Sequence, residues 1–438
     1  MDIPRADSRA RHDLAVRTAP HPYTWIVLVL TIGLMLSDYM SRQVLNAVFP
    51  ALKAVWNLSD AQLGSFNSVV ALMVGVLTLP LSILADRWGR VRSIVLMAAL
   101  WSLATLGCAL STSYGNMLLA RALVGLGEAS YGAVGPALIM SIFPAHLRSS
   151  LTASFMAGAA LGSVIGMALG GVIMAHLGWR WAFGAMAGFG VALVVLYRVI
   201  VTEARLAPHL IEQKHGAAPD PMRLAQSARI VFEGLFTSVS ARFAYLGSGL
   251  QVFVGGSLYA WLPSYLNRYY GMSPARAGVM AAGFVLVNGL GMVLCGMLAD
   301  RASMSNPNRK WGIAMAYCAI SALLLAIALR VSIGNMQLVL IAVAMFVVSG
   351  TNGPSGAMVA NVTPAAIHAS VFATLTLANS LLGMAPGPFV TGFVADHIGL
   401  HGALHVLPCV ALVSMLMFAL GRRHYAGDLE RAGRRTGL

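Results

Sequence analysis

Charge is what this sequence has least of. Only 10% of its 438 residues are Asp, Glu, Lys or Arg, where an ordinary soluble domain carries about 25%. Hydrophobic residues make up 58% and the mean hydropathy is +0.76. These values exclude a soluble globular protein and leave a multi-pass membrane protein. Cysteine is also scarce. Cys108, Cys295, Cys318 and Cys409 all fall in apolar stretches, at spacings that match no metal motif, and they read as packed thiols. The eleven His are scattered, and His146, His176 and His397 sit near the ends of apolar runs. No metal and no cofactor are expected. A G-x-x-x-x-G-K-[ST] loop is missing, which argues against ATP drive. A cluster of catalytic side chains at a membrane boundary is missing too, so an enzyme is not expected. Residues 1–22 read as a polar, Arg-rich tail, and no cleavable leader is expected.

Long apolar runs dominate what is there. Windowed hydropathy places twelve spans at 24–50, 60–84, 92–110, 114–142, 149–175, 180–200, 236–267, 274–299, 311–330, 334–358, 365–395 and 400–421. With the N-terminus inside, most of the 29 Lys and Arg collect in the tails and the loops on that side. The opposite side holds Lys53, Arg180, Arg268, Arg276 and Arg330. The positive-inside rule then puts both termini in the cytoplasm. The net charge of +14 is thus a topology signal, and no nucleic-acid partner is expected. The chain divides into a tail at 1–22, six helices within 23–200, a polar linker at 201–235, six helices within 236–421 and a tail at 422–438. The linker carries Pro208, Pro219 and Pro221, with an amphipathic helix expected around 222–235.

The few charges inside spans are the candidates for chemistry, because a charge at membrane depth is expensive. The fourth span, LLARALVGLGEASYGAVGPALIM at 118–140, holds Arg121 and Glu128, two turns apart on one face, with Tyr131 just beyond. The first span holds Asp38 and Arg42 at i,i+4, where they can pair. A structural ion pair would use the same residues; a transport site is the sharper reading. The second half has no comparable acid. It offers Gln251, Tyr259 and Trp261 in the seventh span, Asn288 in the eighth, Asn352 within SGTNGPSG (349–356) in the tenth, and Asn379 ahead of GMAPGP (383–388) in the eleventh. Each could be an interhelical hydrogen bond; together they form a candidate substrate wall.

Two stretches repeat. ILADRWGRVRS (83–93) returns as MLADRASMSNPNRK (297–310), and AHLG (175–178) returns as DHIG (396–399), at spacings of roughly 215–220 residues. The first stretch closely resembles the loop signature of the major facilitator superfamily. That resemblance implies an all-α fold of twelve transmembrane helices in two pseudo-symmetric six-helix bundles. It also implies a cytoplasmic latch at Asp86, Arg87, Gly89 and Arg90, repeated at Asp300 and Arg301. Arg121 with Gly125 resembles the family's fourth-helix motif. GSVIGMALGG (162–171) resembles a drug-antiporter motif only loosely, since Ser163 replaces its Pro, and Gly162, Gly166 and Gly170 read as close packing.

Within the superfamily, ARALVGLGEASYGAVGPALI (120–139) and GSLYAWLPSYLNRYYG (256–271) look most like spinster-type lipid transporters. One departure is in the first helix, where Ser41 stands in place of the family's Asp and the acid is Asp38. The resemblance implies a secondary transporter working by alternating access, coupled to protons through Glu128 and Asp38. Arg42, Arg121, Tyr131 and the second-half wall would meet an amphipathic or anionic substrate such as a lysophospholipid. The alternative is a small organic anion:proton symporter. If the helices face each other as the fold implies, Asp38, Arg42, Arg121 and Glu128 form a neutral quartet. A lipid substrate predicts lateral openings between helices 5 and 8 or 2 and 11; a carboxylate substrate predicts a closed cavity. The expected setting is a bacterial inner membrane, as a monomer among membrane lipids.

Overall fold

The computed structural model describes residues 21–210, 238–304, 306, 308–363 and 368–436. The helix expected at 222–235 lies outside them. Twelve helical passes run α1 Pro22–Trp56, α2 Asp60–Trp88, α3 Arg90–Leu110, α4 Tyr114–Ile142, α5 Ala145–Leu177, α6 Trp179–Ile200, α7 Val239–Tyr270, α8 Pro274–Ser303, α9 Arg309–Ala328, α10 Asn335–Asn361, α11 from His368 to the break at Gly399, and α12 from there to Thr436. Among the described residues, nine helices are by themselves long and apolar enough to cross a membrane. The ends that carry Pro22 and Thr436 define the near face; the α1–α2 and α7–α8 turns lie on the far face.

The repeat seen in the sequence is also a repeat of backbone geometry. α1 ends at Asn57 with φ 51°, and α7 ends at Gly271 with φ 61°; Ser59 and Ser273 then cap the next helices. Gly178 (φ 90°, ψ 166°) and Gly399 (φ 76°, ψ 159°) break the chain in the same way at the AHLG and DHIG corners. Extended backbone with positive φ is open to glycine almost alone, so the same residue type recurs at both corners.

Within the first bundle α1 packs along α5 and α6, and α3 lies against α4 and α6. The predicted glycine stripe works as expected. A Cβ at Gly162 would meet the Leu36 backbone of α1, one at Gly166 would fall 2.5 Å from Met40 Cα, and one at Gly170 would fall 2.9 Å from Val44. Within the second bundle α7 and α9 both pack on α12. The bundles meet along two related seams, α5–α8 and α2–α11.

Three spans are interrupted near their middles. In α4 the Ala129 carbonyl accepts from the Thr78 hydroxyl of α2, and the Ala133 N–H turns to Ser130 O instead (3.0 Å), so the helix breaks just after Glu128. α10 tightens into a 3₁₀ turn at Ser349–Thr351, within the Gly- and Pro-bearing run at 349–356. α11 widens into a π turn at Ser380–Met384. α12 stays helical past 421, and the Asp428 carboxylate accepts the Ser240 N–H and hydroxyl, both at 2.8 Å, at the start of α7.

Candidate functional site: a charged cluster on a central cavity

The charges that α1 and α4 carry into the membrane come together, with one exception. Arg42 Nη2 lies 2.7 Å from Glu128 Oε2, and Arg42 Nε lies 3.9 Å from Asp38 Oδ1. Asp38 and Glu128 are 3% exposed overall, while the Arg42 side chain keeps 21%. One guanidinium therefore faces two buried, neighbouring carboxyl groups, and it alone reaches open space. Tyr39 lies against it, the guanidinium carbon 5.2 Å from the ring centre. Arg121 stands apart from this triad. Its Nη1 donates to Ser41 O (3.2 Å) and its Nε to Phe66 O (3.4 Å), binding backbone carbonyls of α1 and α2 rather than a carboxylate. The sequence suggested a quartet; two helical turns between Arg121 and Glu128 put about 10 Å of rise between them, and Arg42 is nearer.

Arg42 opens on a cavity between the bundles. A small lobe of about 50 Å³ is lined by Arg42, Gln43, Asn46, Asn67, Arg121 and Tyr259 among others. A larger lobe of about 190 Å³ is lined by Gln251, Tyr259, Asn288, Asn352, Met292 and Met384 among others. Tyr259 and Met384 border both. The Tyr259 hydroxyl donates to Asn288 Oδ1, and Asn288 Nδ2 donates to Met345 O (2.6 Å). Gln251 Nε2 donates to Ser321 (3.0 Å), while its Oε1 is buried with no partner.

Three of the expected substrate contacts, Tyr131 and two residues of the wall, lie elsewhere. Tyr131 is fully buried inside the first bundle, its hydroxyl on Thr31 O (2.6 Å) and its ring against Trp101 and Phe155. Trp261 is fully buried toward the far face, donating to Pro388 O (3.0 Å) and packing on Phe49 of the other bundle. Asn379 accepts from Ser248 (2.8 Å), tying α11 to α7. Sequence reasoning missed the chain of amides at the small lobe, where Asn67 donates to Asn46 and Asn46 to Gln43, both at 2.7 Å. Asn46 sits one turn beyond Arg42 on the same helix face, and that spacing was the available signal.

The far face holds a second charged cluster, of which sequence reading had named only Lys53 and Arg268, as charges on the side opposite the termini. Arg268 at the end of α7 makes a two-pronged pair with Asp60 of α2, at 2.7 and 2.6 Å. Lys53 joins the same carboxylate at 2.6 Å. Asp396 of α11 accepts the Asp60 and Ala61 N–H groups at 2.6 and 2.9 Å, so an acid of one bundle caps a helix of the other. On the companion seam Gly171 and Gly278 meet backbone to backbone, a Cβ on Gly278 falling 2.9 Å from Gly171 Cα. The near side is different. Gly132 of α4 and Gly353 of α10 are exposed there. Of the expected latch, Arg90 donates to Ala137 O (3.2 Å) and Asp300 pairs with Lys310 (2.9 Å), each within its own bundle. Arg87 and Arg301 are exposed, Gly89 makes its turn at φ 91°, and the Asp86 side chain lies outside the described set. Among the described residues no group of three His, Cys, Asp or Glu is placed to hold a metal ion.

Comparison with known proteins is consistent with this architecture. The chain is 26% identical over 400 residues to protein spinster homolog 1 of Xenopus laevis, covering 85% of this chain and 73% of that one. Against the human homolog the alignment spans 46% of the relative's length. A probable 4-methylmuconolactone transporter of Cupriavidus pinatubonensis is 26% identical over 60% of each chain. The crystal structure of a bacterial homolog of the human lysosomal transporter Spinster, inward-facing and unoccupied, superposes with a TM-score of 0.82 at 19% identity, over 94% of this chain and 99% of that one. The family model of the Major Facilitator Superfamily matches residues 31–385 and 244–436. Two repeated bundles enclosing a central cavity, together with a model match over most of the chain, place this protein in the Major Facilitator Superfamily.

Proposed function

We propose that this superfamily member is a secondary active transporter that moves an anionic, amphipathic substrate together with protons, by alternating access. One observation carries the reading: a single cavity-facing guanidinium, Arg42, is shared by two buried carboxyl groups. With Arg121 held on backbone carbonyls, Asp38 and Glu128 share one guanidinium, and one proton held between the two carboxyl groups would relieve their mutual repulsion. Protonation of Glu128 frees Arg42 to bind an anionic headgroup or carboxylate, so proton and anion bind together. Deprotonation returns Arg42 to Glu128 and releases the substrate.

Arg121, Gln251, Tyr259, Asn288 and Asn352 would contact the remaining polar groups of the substrate, with Asn379 holding the wall behind them. Tyr131 and Trp261 act through packing. With the termini cytoplasmic in an inner membrane, the far-face ion pairs close the outside and the cavity is reached from the cytoplasm. In the opposite state Asp86, Arg87, Gly89 and Arg90, with Asp300 and Arg301, would latch the near face. The functional unit in this reading is the monomer, since both bundles and the whole cavity belong to one chain.

The substrate favoured is a lysophospholipid, although α5 and α8, and α2 and α11, pack together as seams where a lipid was expected to find lateral openings. The larger lobe, about 190 Å³, has the size of a headgroup, and Met292, Met384, Val252 and Val348 line its apolar side. Met292 is exposed as well, giving an acyl tail a path toward the near side. The resemblance of residues 120–139 and 256–271 to spinster-type lipid transporters supports this choice. A small organic anion is the second reading, favoured by the lobe's modest volume and by the muconolactone-transporter relative.

The test is uptake into proteoliposomes at about pH 5.5 and about pH 7.5, with thermal shifts for both ligand classes in parallel. Lysophospholipid should raise the melting temperature and be taken up with a pH dependence that Glu128→Gln abolishes. A shift with small carboxylates alone would select the second reading. Unchanged pH dependence in Glu128→Gln would remove Glu128 from coupling.

A further inference from the structure

Away from the central cavity, the outer wall of the first bundle carries a groove with a distinct chemistry. It lies between the start of α3 and the end of α6, has a volume of about 570 Å³, and is lined by Val91, Arg92, Val95, Leu96, Arg198 and Glu203 among others. Arg92 and Arg198 are exposed, and among the described residues neither has a hydrogen-bonding or ion-pairing partner. The groove sits where helices pass from apolar wall to near face. Val195, Leu196 and Val199 of α6 and Leu96 of α3 are exposed beside it, as expected of surface facing lipid tails. Glu203, the one acid present, is already engaged. Its Oε1 accepts the Val91 N–H at 3.1 Å at the N-terminus of α3, where the helix dipole offsets its charge.

We propose that this groove binds one anionic phospholipid of the surrounding leaflet, its phosphate held by Arg92 and Arg198 and one acyl chain lying along Val95 and Leu96. Arginine presents a planar fork of donors matched to phosphate oxygens, and its long stem lets the charge reach headgroup level from an apolar wall. Basic pockets between helices at this depth suit charged headgroups. A zwitterionic lipid would bring its own cation to the two guanidinium groups and lose the advantage.

The position gives the bound lipid a mechanical consequence. Glu203 closes the floor of the groove against Gly89, whose φ of 91° makes the α2–α3 turn. A Cβ at Gly89 would fall 2.7 Å from Glu203 Oε1, so the groove and the turn share a wall. Lipid bridging Arg92 on α3 and Arg198 on α6 would clamp that seam and steady the turn that carries Arg87 and Arg90.

The experiment compares the purified full chain in nanodiscs of phosphatidylglycerol and of phosphatidylcholine, at one ionic strength, by thermal unfolding and by native mass spectrometry of retained lipid. Each basic residue near a charged surface contributes about a five-fold factor in affinity, so Arg92→Gln with Arg198→Gln should lower phosphatidylglycerol retention about 30-fold. The melting advantage of phosphatidylglycerol over phosphatidylcholine should vanish in the same variant. Arg276→Gln, on the far face, should keep both. If the double variant folds poorly, Arg92→Lys with Arg198→Lys keeps the charge, and should keep part of the preference. The proposal is overturned if phosphatidylglycerol gives no advantage to the unaltered protein, or if the double Gln variant retains it in full. Neither outcome depends on what the central cavity transports.

Discussion

The two bundles share a backbone plan but divide the chemistry between them. The first puts Asp38, Arg42, Arg121 and Glu128 at membrane depth; the second lines the same cavity with Gln251, Tyr259, Asn288 and Asn352. The two seams differ as well. Where α2 meets α11 and the end of α7 the closure is polar and ionic, through Asp60, Asp396 and Arg268; where α5 meets α8 it is glycine on glycine. Duplication supplied the frame, and divergence at a few positions left buried charge in one half and uncharged hydrogen-bonding groups in the other. A duplicated fold does not need symmetric chemistry.

The sharpest way to break this comparison is to remove the cation. Arg42→Ala leaves two buried carboxyl groups without a partner. It is expected to abolish coupled uptake and to cost about 3–5 kcal/mol of stability, measured by chemical denaturation in detergent. Arg42→Lys, which keeps the charge but loses the fork, should restore much of the stability and little of the transport.

Next in size is the far-face closure. A side chain at Gly392 would press on the Asp60 backbone and on Trp261, so Gly392→Val should hold the far face open. Alkylation of an Asn46→Cys reporter from that side should rise about ten-fold or more, and transport should stop. A rate unchanged from the parent would mean that this seam does not gate the cavity.

The ionic part of that seam is smaller. Arg268→Gln leaves Asp60 with Lys53 alone. Because Arg268 is partly exposed, the expected loss is about 1–3 kcal/mol of bias toward the far-closed state, read as a shift in the same alkylation assay.

The smallest effect belongs to the uncharged wall. Tyr259→Phe removes the donor to Asn288, and should change stability by about 1 kcal/mol. The apparent affinity for substrate should weaken while the pH dependence of uptake stays as it was. A changed pH dependence would mean that the division of labour between the bundles is wrong.

Much of this was legible in the chain. The twelve spans follow from hydropathy, because a bilayer admits only helices whose backbone groups are satisfied internally. The duplication was visible at Asp86 and Asp300 and at the two His-x-Gly corners. Asp38, Arg42 and Glu128 announced themselves because charge at that depth is rare. The wall was harder to read. Asn288 and Tyr131 look alike in a sequence, each a polar group within an apolar helix, yet one borders the cavity and the other packs inside its bundle. Which face of a helix meets the cavity depends on its rotation against its neighbours, and periodicity alone does not set that.

The sequence by itself determined the membrane setting, the number of helices, the repeat and which acids and cations lie at membrane depth, because each is a local property of composition and spacing. Only the tertiary structure decided that Arg42 and not Arg121 meets Glu128, that Asp60, Arg268 and Asp396 form one closure, and that Arg92 and Arg198 share a groove. Those pairings join residues from distant parts of the chain. Their energies depend on distances of a few ångströms and on burial, which helix packing fixes and linear spacing does not.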